Sequence, residues 1–189
     1  AAAASQGITL ETVRSGDISA EHAEYAWQFY EATNARNAWG HVQLNREFFR
    51  LAFASLHEHI EMVLARREGR VIAGAFNLHT PTRLYGRYWG CFEQHPFLHF
   101  NVCLYHSIND CIAAGRQVFE PGAGGEHKIS RGFEPTLTWS GHYIADARFR
   151  AAIGDYLRRE GASVDEYAAV VQQHVPFRER RGTPSGSEL

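Results

Sequence analysis

Two stretches hold residue types able to do chemistry together. The first is Phe119-Glu-Pro-Gly-Ala-Gly-Gly-Glu-His-Lys-Ile-Ser-Arg-Gly-Phe133. Its Gly122, Gly124 and Gly125 let the backbone approach a ligand or take positive φ. Beside them stand Glu120, Glu126 and His127, able to move a proton, and Lys128 and Arg131, able to neutralise developing negative charge. Lys128 is the only lysine among 19 basic residues, and a compact ammonium differs chemically from a guanidinium. The alternative is a solvated turn with ordinary charges. The second stretch is Leu84-Tyr-Gly-Arg-Tyr-Trp-Gly90. Read as a strand, it places Tyr85, Arg87 and Trp89 on one face and Leu84, Gly86, Tyr88 and Gly90 on the other. Gly86 within a strand marks a bulge or a close approach. Arg87, if buried, needs a carboxylate, for which Glu120 and Glu126 are candidates.

Other chemistries find less support. The histidines lack zinc spacing: His57 and His59 are two apart, His95 and His99 span a proline, and Glu126-His127 lacks a second histidine, so no metal site is expected. A histidine–carboxylate pair is the better reading, with His127 or His99 against Glu120 or Glu126. There is no Gly-x-Ser-x-Gly turn for a serine hydrolase, and the Walker and dinucleotide signatures are absent.

Elements must position these groups. Residues 8–13 alternate as a strand, and Ser19 caps a helix running to about Arg36. Asn45 opens a second helix. Residues 61–67, 71–79 and 82–90 read as three strands, the first two forming a hairpin at Gly69. A helix spans 101–114, so Asn101 begins it and lies near His99. Residues 117–121 form a short strand, 122–134 a loop, and 136–144 an alternating strand. Two helices follow, 145–160 and 163–174, split at Gly161. The pattern predicts an α/β fold with a mixed, mostly antiparallel sheet flanked by helices. One domain is expected over 1–177, with a disordered tail over 178–189.

At 189 residues and formal charge −2, the chain is long enough for one core, and a phosphate-tracking nucleic-acid binder is disfavoured. No apolar run reaches the length of a membrane span. The three cysteines Cys91, Cys103 and Cys111 read as reduced thiols of a cytoplasmic protein. The chain opens Ala-Ala-Ala-Ala-Ser, and its one methionine is Met62, which suggests a fragment, a processed chain or a trimmed one.

Taken together, 84–90, Phe97-Leu-His-Phe100 and 119–133 resemble the FemAB-like family of bacterial proteins, catalogued under peptidoglycan biosynthesis or recognition and related to the GNAT N-acyltransferases. The resemblance covers about residues 7–178 and is to the C-terminal half of longer members. It implies the acyl-CoA N-acyltransferase fold, in which the third meander strand and the next strand splay apart around an acyl donor. It further implies acyl-CoA or aminoacyl-tRNA as co-substrate, although the net charge gives tRNA no support. The Arg/Gln-x-x-Gly-x-Gly/Ala segment usual in GNAT enzymes is not matched by His95-Pro-Phe-Leu-His-Phe100. Arg131-Gly132-Phe133 is similar to a Lys-x-Gly-Phe-like segment of the Fem peptidyltransferases. The implied activity is transfer of an acyl or aminoacyl group onto an amine acceptor. Glu120, His127, Lys128 and Arg131 are then catalytic. Tyr85, Arg87, Trp89, His99, Asn101, Gly122, Gly124, Gly125 and Glu126 then line the substrate. The competing expectation is a non-catalytic module that binds a peptide or muropeptide on the same fold.

Overall fold

The computed structural model describes residues 3–36, 42–122 and 125–176. Gly124, the 178–189 tail and the side chain of Glu126 lie outside the described residues. The chain divides into two compact units, Ala1–Ala123 and Gly124–Leu189, and each is described by itself.

Unit 1 is built on a five-stranded sheet in the order β1-β2-β3-β4-β5. These are β1 (Ile8–Arg14), β2 (Ile60–Arg67), β3 (Arg70–His79), β4 (Arg83–Cys91) and β5 (Val118–Glu120). The first four pair antiparallel and β5 pairs parallel to β4, so the predicted mixed sheet is found. The β2–β3 hairpin turns at Glu68 and Gly69, with φ of 51° and 78°. Positive φ at both central residues gives a two-residue turn the strand twist it needs, and glycine takes the second place without a Cβ clash.

Alternation in the strands sends side chains to two cores. On one face Ile60, Met62, Leu64 and Phe76 meet Ala23, Ala26, Phe29 and Tyr30 of α1 (Ala20–Arg36) and Phe49 and Phe53 of α2 (Arg46–Leu56). The Asn45 side chain accepts from Phe48 N and so caps α2, the helix that the sequence opens at Asn45. On the other face Val63, Ala65, Ala73 and Ala75 meet Leu98 and Val102. Those two belong to a helical segment made of α3 (Leu98–Phe100), a π-helical stretch (Asn101–His106) and α4 (Ser107–Ala113). The segment starts three residues before the expected Asn101, after Phe97 at φ 62°.

Unit 2 departs further from expectation. The loop over 122–134 contains a 3-10 helix, Glu126–Arg131. Residues 133–144 form no regular element, so the strand expected at 136–144 is absent. Its Trp139 and Tyr143 are 91% and 86% exposed, and unit 2 has no other strand among its described residues to satisfy a ladder. The two helices expected around Gly161 are one, α5 (Ala147–Gln172), capped by Asp146 Oδ1 accepting from Arg148 N and Phe149 N. One glycine costs a helix about 1 kcal/mol, too little to break a 26-residue run without proline.

Candidate functional site

β4 and β5 pair over only three residues: Arg83 with Val118, Leu84 with Phe119, and Tyr85 with Glu120. The pairing ends before Gly86, where the Pro121 backbone comes so close that a Cβ would sit 3.4 Å from it. Gly122 has φ 85°, and a Cβ there would stand 3.5 Å from Gly86 O. At the same level β4 is bulged. Asn77 faces Gly86, Phe76 faces Tyr88, and Arg87 has no partner on β3. A bulge inserts a residue and re-aims the side chains after it.

The bulge corrects the expected faces. Tyr85 lies opposite Leu78 and Tyr88 opposite Phe76, so Tyr85 and Tyr88 share a face, while Leu84, Gly86 and Trp89 share the other. Exposed Arg87 places its guanidinium 5.9 Å from the Tyr85 ring centroid. Glu120 is not its partner; that carboxylate meets Arg83 at 3.1 Å. Trp89 packs edge-on to His99 at 5.1 Å between centroids, which ties β4 to α3. His99 also lies 5.3 Å from the Phe100 ring, so it stands among aromatics. Asn101 begins the π stretch, not the helix, and both its N–H and its Nδ2 donate to Phe97 O.

Beyond the paired residues, the β4 main chain is taken up by α1. Thr33 Oγ1 donates to Trp89 O, and Arg36 donates to Cys91 O at 2.7 Å and to Cys91 Sγ at 2.9 Å. Gly90 permits the approach, because a Cβ there would lie 2.3 Å from Phe29 Cα.

In unit 2, Gly125 has φ 86° and carries the His127 ring against it, 2.4 Å from where a Cβ would stand. The 3-10 turn is fastened by Lys128 N donating to Gly125 O at 3.0 Å, and Arg131 Nη1 donates to His127 O. Gly125, His127, Lys128 and Arg131 thus form one short, glycine-opened turn. Glu120 belongs to unit 1 and the other three expected catalytic residues to unit 2.

Sequence reasoning missed a buried polar row under the bulge. Arg14, Glu61, Asn77 and Gly86 are successive cross-strand partners. Glu61 is fully buried, and its Oε2 meets Arg14 Nε at 2.7 Å and the nearly buried Arg116 Nη1 at 2.8 Å. Arg14 also reaches Asp110 at 3.1 Å, and Thr12 donates to the same carboxylate. Glu61 Oε1, Asn77 Nδ2 and His79 Nε2 are buried with no hydrogen-bond partner among the described residues. Burial, aided by Arg116, holds His79 below its ordinary pKa, so it stays neutral. Burial likewise pushes the Cys111 thiol up. The available signal was Glu61 itself, a lone carboxylate beside the apolar run 62–65.

The one cavity described in unit 1, about 330 Å³, is lined by Ile18, Ala23, Arg50, Phe53 and His57 and includes none of these groups. No group of three or more His, Cys, Asp or Glu side chains placed to hold a metal occurs among the described residues.

A family described as FemAB-like, peptidoglycan biosynthesis/recognition, matches residues 1–179. The chain belongs to that family. No curated protein matches it. Solved structures similar to it include an aminoglycoside acetyltransferase from an uncultured soil metagenomic sample in complex with sisomicin. It is 10% identical, has a TM-score of 0.50, and the match covers 75% of this chain and 97% of that one. A transcriptional regulator from Bacillus halodurans C-125 gives 10% identity and a TM-score of 0.50 over 72% and 99%. An aminoglycoside N-acetyltransferase, AAC(6')-Iy, in complex with CoA gives 10% identity and a TM-score of 0.46 over 74% and 95%. The fold is that of the GNAT acetyltransferases, as the FemAB-like resemblance implied.

Proposed function

We propose that the chain transfers an activated acyl or aminoacyl group onto an amine of a peptidoglycan precursor. The observation that carries this reading is the end of the β4–β5 pairing after three residues, at the level of the Arg87 bulge. The residues at and just past that end include Tyr85, Arg87, Glu120 and Gly122, on the fold of GNAT acetyltransferases and in a peptidoglycan-linked family.

In this reading the acceptor nitrogen attacks the acyl carbonyl, and the bond from that carbon to sulfur or ester oxygen breaks. Glu120 or His127 takes the amine proton. Lys128 and Arg131 neutralise the oxyanion or the leaving group, and Tyr85 and Arg87 hold the acceptor. The donor is acyl-CoA or aminoacyl-tRNA. The buried, reduced thiols of Cys91 and Cys111 support a reducing compartment such as the cytoplasm. Among the described residues no helix is long and apolar enough to cross a membrane.

A second reading, a muropeptide-binding module without turnover, is favoured by one observation. Trp89 O and Cys91 O, past the end of the β4–β5 pairing, already accept from Thr33 and Arg36, leaving fewer main-chain groups for a donor.

Thermal shift and turnover decide between them. The chain is mixed with acetyl-CoA, longer acyl-CoAs, free CoA and a UDP-muropeptide, beside a Lys128→Ala variant. The transferase reading expects stabilisation by a donor together with product formation that Lys128→Ala abolishes. A shift with the muropeptide alone, undiminished in Lys128→Ala and without product, supports the binding module. No shift with any of them sinks the CoA reading for this chain.

A further inference from the structure

The helix α5 has features that no acyl-transfer chemistry uses. It spans 26 residues, which at 1.5 Å per residue is about 39 Å, and none of its residues is buried. Phe149, Tyr156, Leu157, Val164 and Val170 recur at helical spacing and are 61, 55, 51, 45 and 48% exposed. At 100° per residue these side chains and those of Ile153 and Val171 fall on one stripe, the width that a helix normally covers with a neighbour.

The charges say which neighbour fits. The first half, 147–159, carries Arg148, Arg150, Arg158 and Arg159 against a single Asp155. The second half, 160–172, carries Glu160, Asp165 and Glu166 and no basic residue. A helix laid antiparallel on this one must therefore be acidic where this one is basic and basic where it is acidic. A second copy of α5 has that polarity, whereas a parallel copy would set like charges together.

The flank of the stripe repeats the match residue by residue. Arg159 and Glu166 are seven apart, so they share one side of the stripe. In an antiparallel two-fold pair that side faces itself. With the axis near Ala162, Arg159 of each copy meets Glu166 of the other, and the contact occurs twice. The seam then sets Glu160 opposite Val164, not opposite its own copy, and Tyr156 Oη, 3.2 Å from the Glu160 carboxylate, gives that group a donor.

We infer that the chain forms a two-fold homodimer through antiparallel pairing of α5 along the Phe149–Val171 stripe, registered by reciprocal Arg159–Glu166 ion pairs.

Sedimentation equilibrium of the whole chain over ~1–100 µM tests this, with Arg159→Glu, Glu166→Arg and the double swap as variants. Both sites are exposed, and far-UV circular dichroism checks that helix content is unchanged. The parent is expected to move from one-chain to two-chain mass across the range. Each single swap sets like charges together at two places and is expected to raise the dissociation constant about tenfold or more, while the double swap restores it to within about threefold. A one-chain mass throughout overturns the proposal, because the stripe is then covered within its own chain or not at all. A double swap as weak as the singles overturns the antiparallel register.

Discussion

The two units of this chain have similar side-chain patterns and very different surroundings. Among the described residues, unit 1 holds every buried one, on both faces of its sheet. No described residue of unit 2 is buried, although 136–144 alternates as cleanly as 8–13 and α5 is as apolar along its stripe as a packed helix. Alternation becomes a strand where a neighbour accepts the ladder and a core removes one face from water. In unit 1 β1 finds β2 along seven residue pairs; in unit 2 the same kind of sequence has no strand beside it among the described residues. A pattern states what a segment would bury, and the partner decides whether it does so.

The largest way to test this contrast is to remove the deepest charge of unit 1. Glu61 is fully buried between Arg14 and Arg116, and the Arg116 side chain is only 5% exposed. Glu61→Ala leaves Arg116 buried and unpaired, with an expected loss of about 3–5 kcal/mol in urea unfolding. Breaking the exposed Arg50–Glu47 pair with Glu47→Ala is expected to leave the unfolding midpoint unchanged within error. Equal losses would mean that Glu61 is wetter than its burial indicates.

Glu61 also shows where the sequence was legible and where it was not. The sheet, the Gly69 hairpin, the start of α2 at Asn45 and the bulge beside Gly86 follow from local signals: alternation, turn residues, a helix-opening side chain and a glycine inside a strand. The bulge's effect on the faces does not, because that depends on how β4 registers on β3, where a one-residue insertion at Arg87 moved Tyr85 to the face of Tyr88. The polar row from Arg14 to Asn77 is non-local for the same reason. Its members are separated by 47 and 16 positions and meet only across strands. Of the expected site residues, Tyr85, Arg87, Glu120 and Gly122 come from two short runs of unit 1, and the glycine-opened turn from one run of unit 2.

Next in size is Gly90→Ala. Its Cβ would stand 2.3 Å from Phe29 Cα and O, which are helix backbone and cannot rotate away. Separating α1 from β4 also strains the Thr33 and Arg36 bonds to Trp89 O and Cys91 O. A loss of about 3 kcal/mol in denaturant unfolding is expected. A neutral result would show that α1 does not press on β4 at Gly90.

A smaller effect follows from His79. Its folded pKa lies below the ordinary value, first because burial disfavours the charged ring and then because Arg116 repels it. The unfolded chain therefore binds a proton near pH 6.5 that the folded chain refuses, so stability falls as pH drops below about 6.5 towards the folded value. His22 is lowered by burial too and acts in the same sense. Unfolding free energy measured from pH 8 to 5 should decline less in His79→Gln than in the parent. A parallel decline would assign the pH response to His22 or to the carboxylates.

The smallest effect has the opposite sign, and it lies in unit 2. Gly161 is in the interior of α5, and a Cβ there would meet nothing within 4 Å. Its φ is outside the left-handed region, so alanine needs no change of backbone. Gly161→Ala adds no clash and removes unfolded-state freedom, with an expected gain of about 0.5–1 kcal/mol in the thermal unfolding of the helix signal. The same replacement at Gly90 costs stability because α1 occupies the space. Opposite signs at two glycines would confirm the contrast between a unit whose backbone is hemmed in and one whose helix stands clear. If Gly161→Ala also destabilises, a neighbour presses on α5 at that turn, and the helix is as closely packed as the strands of unit 1.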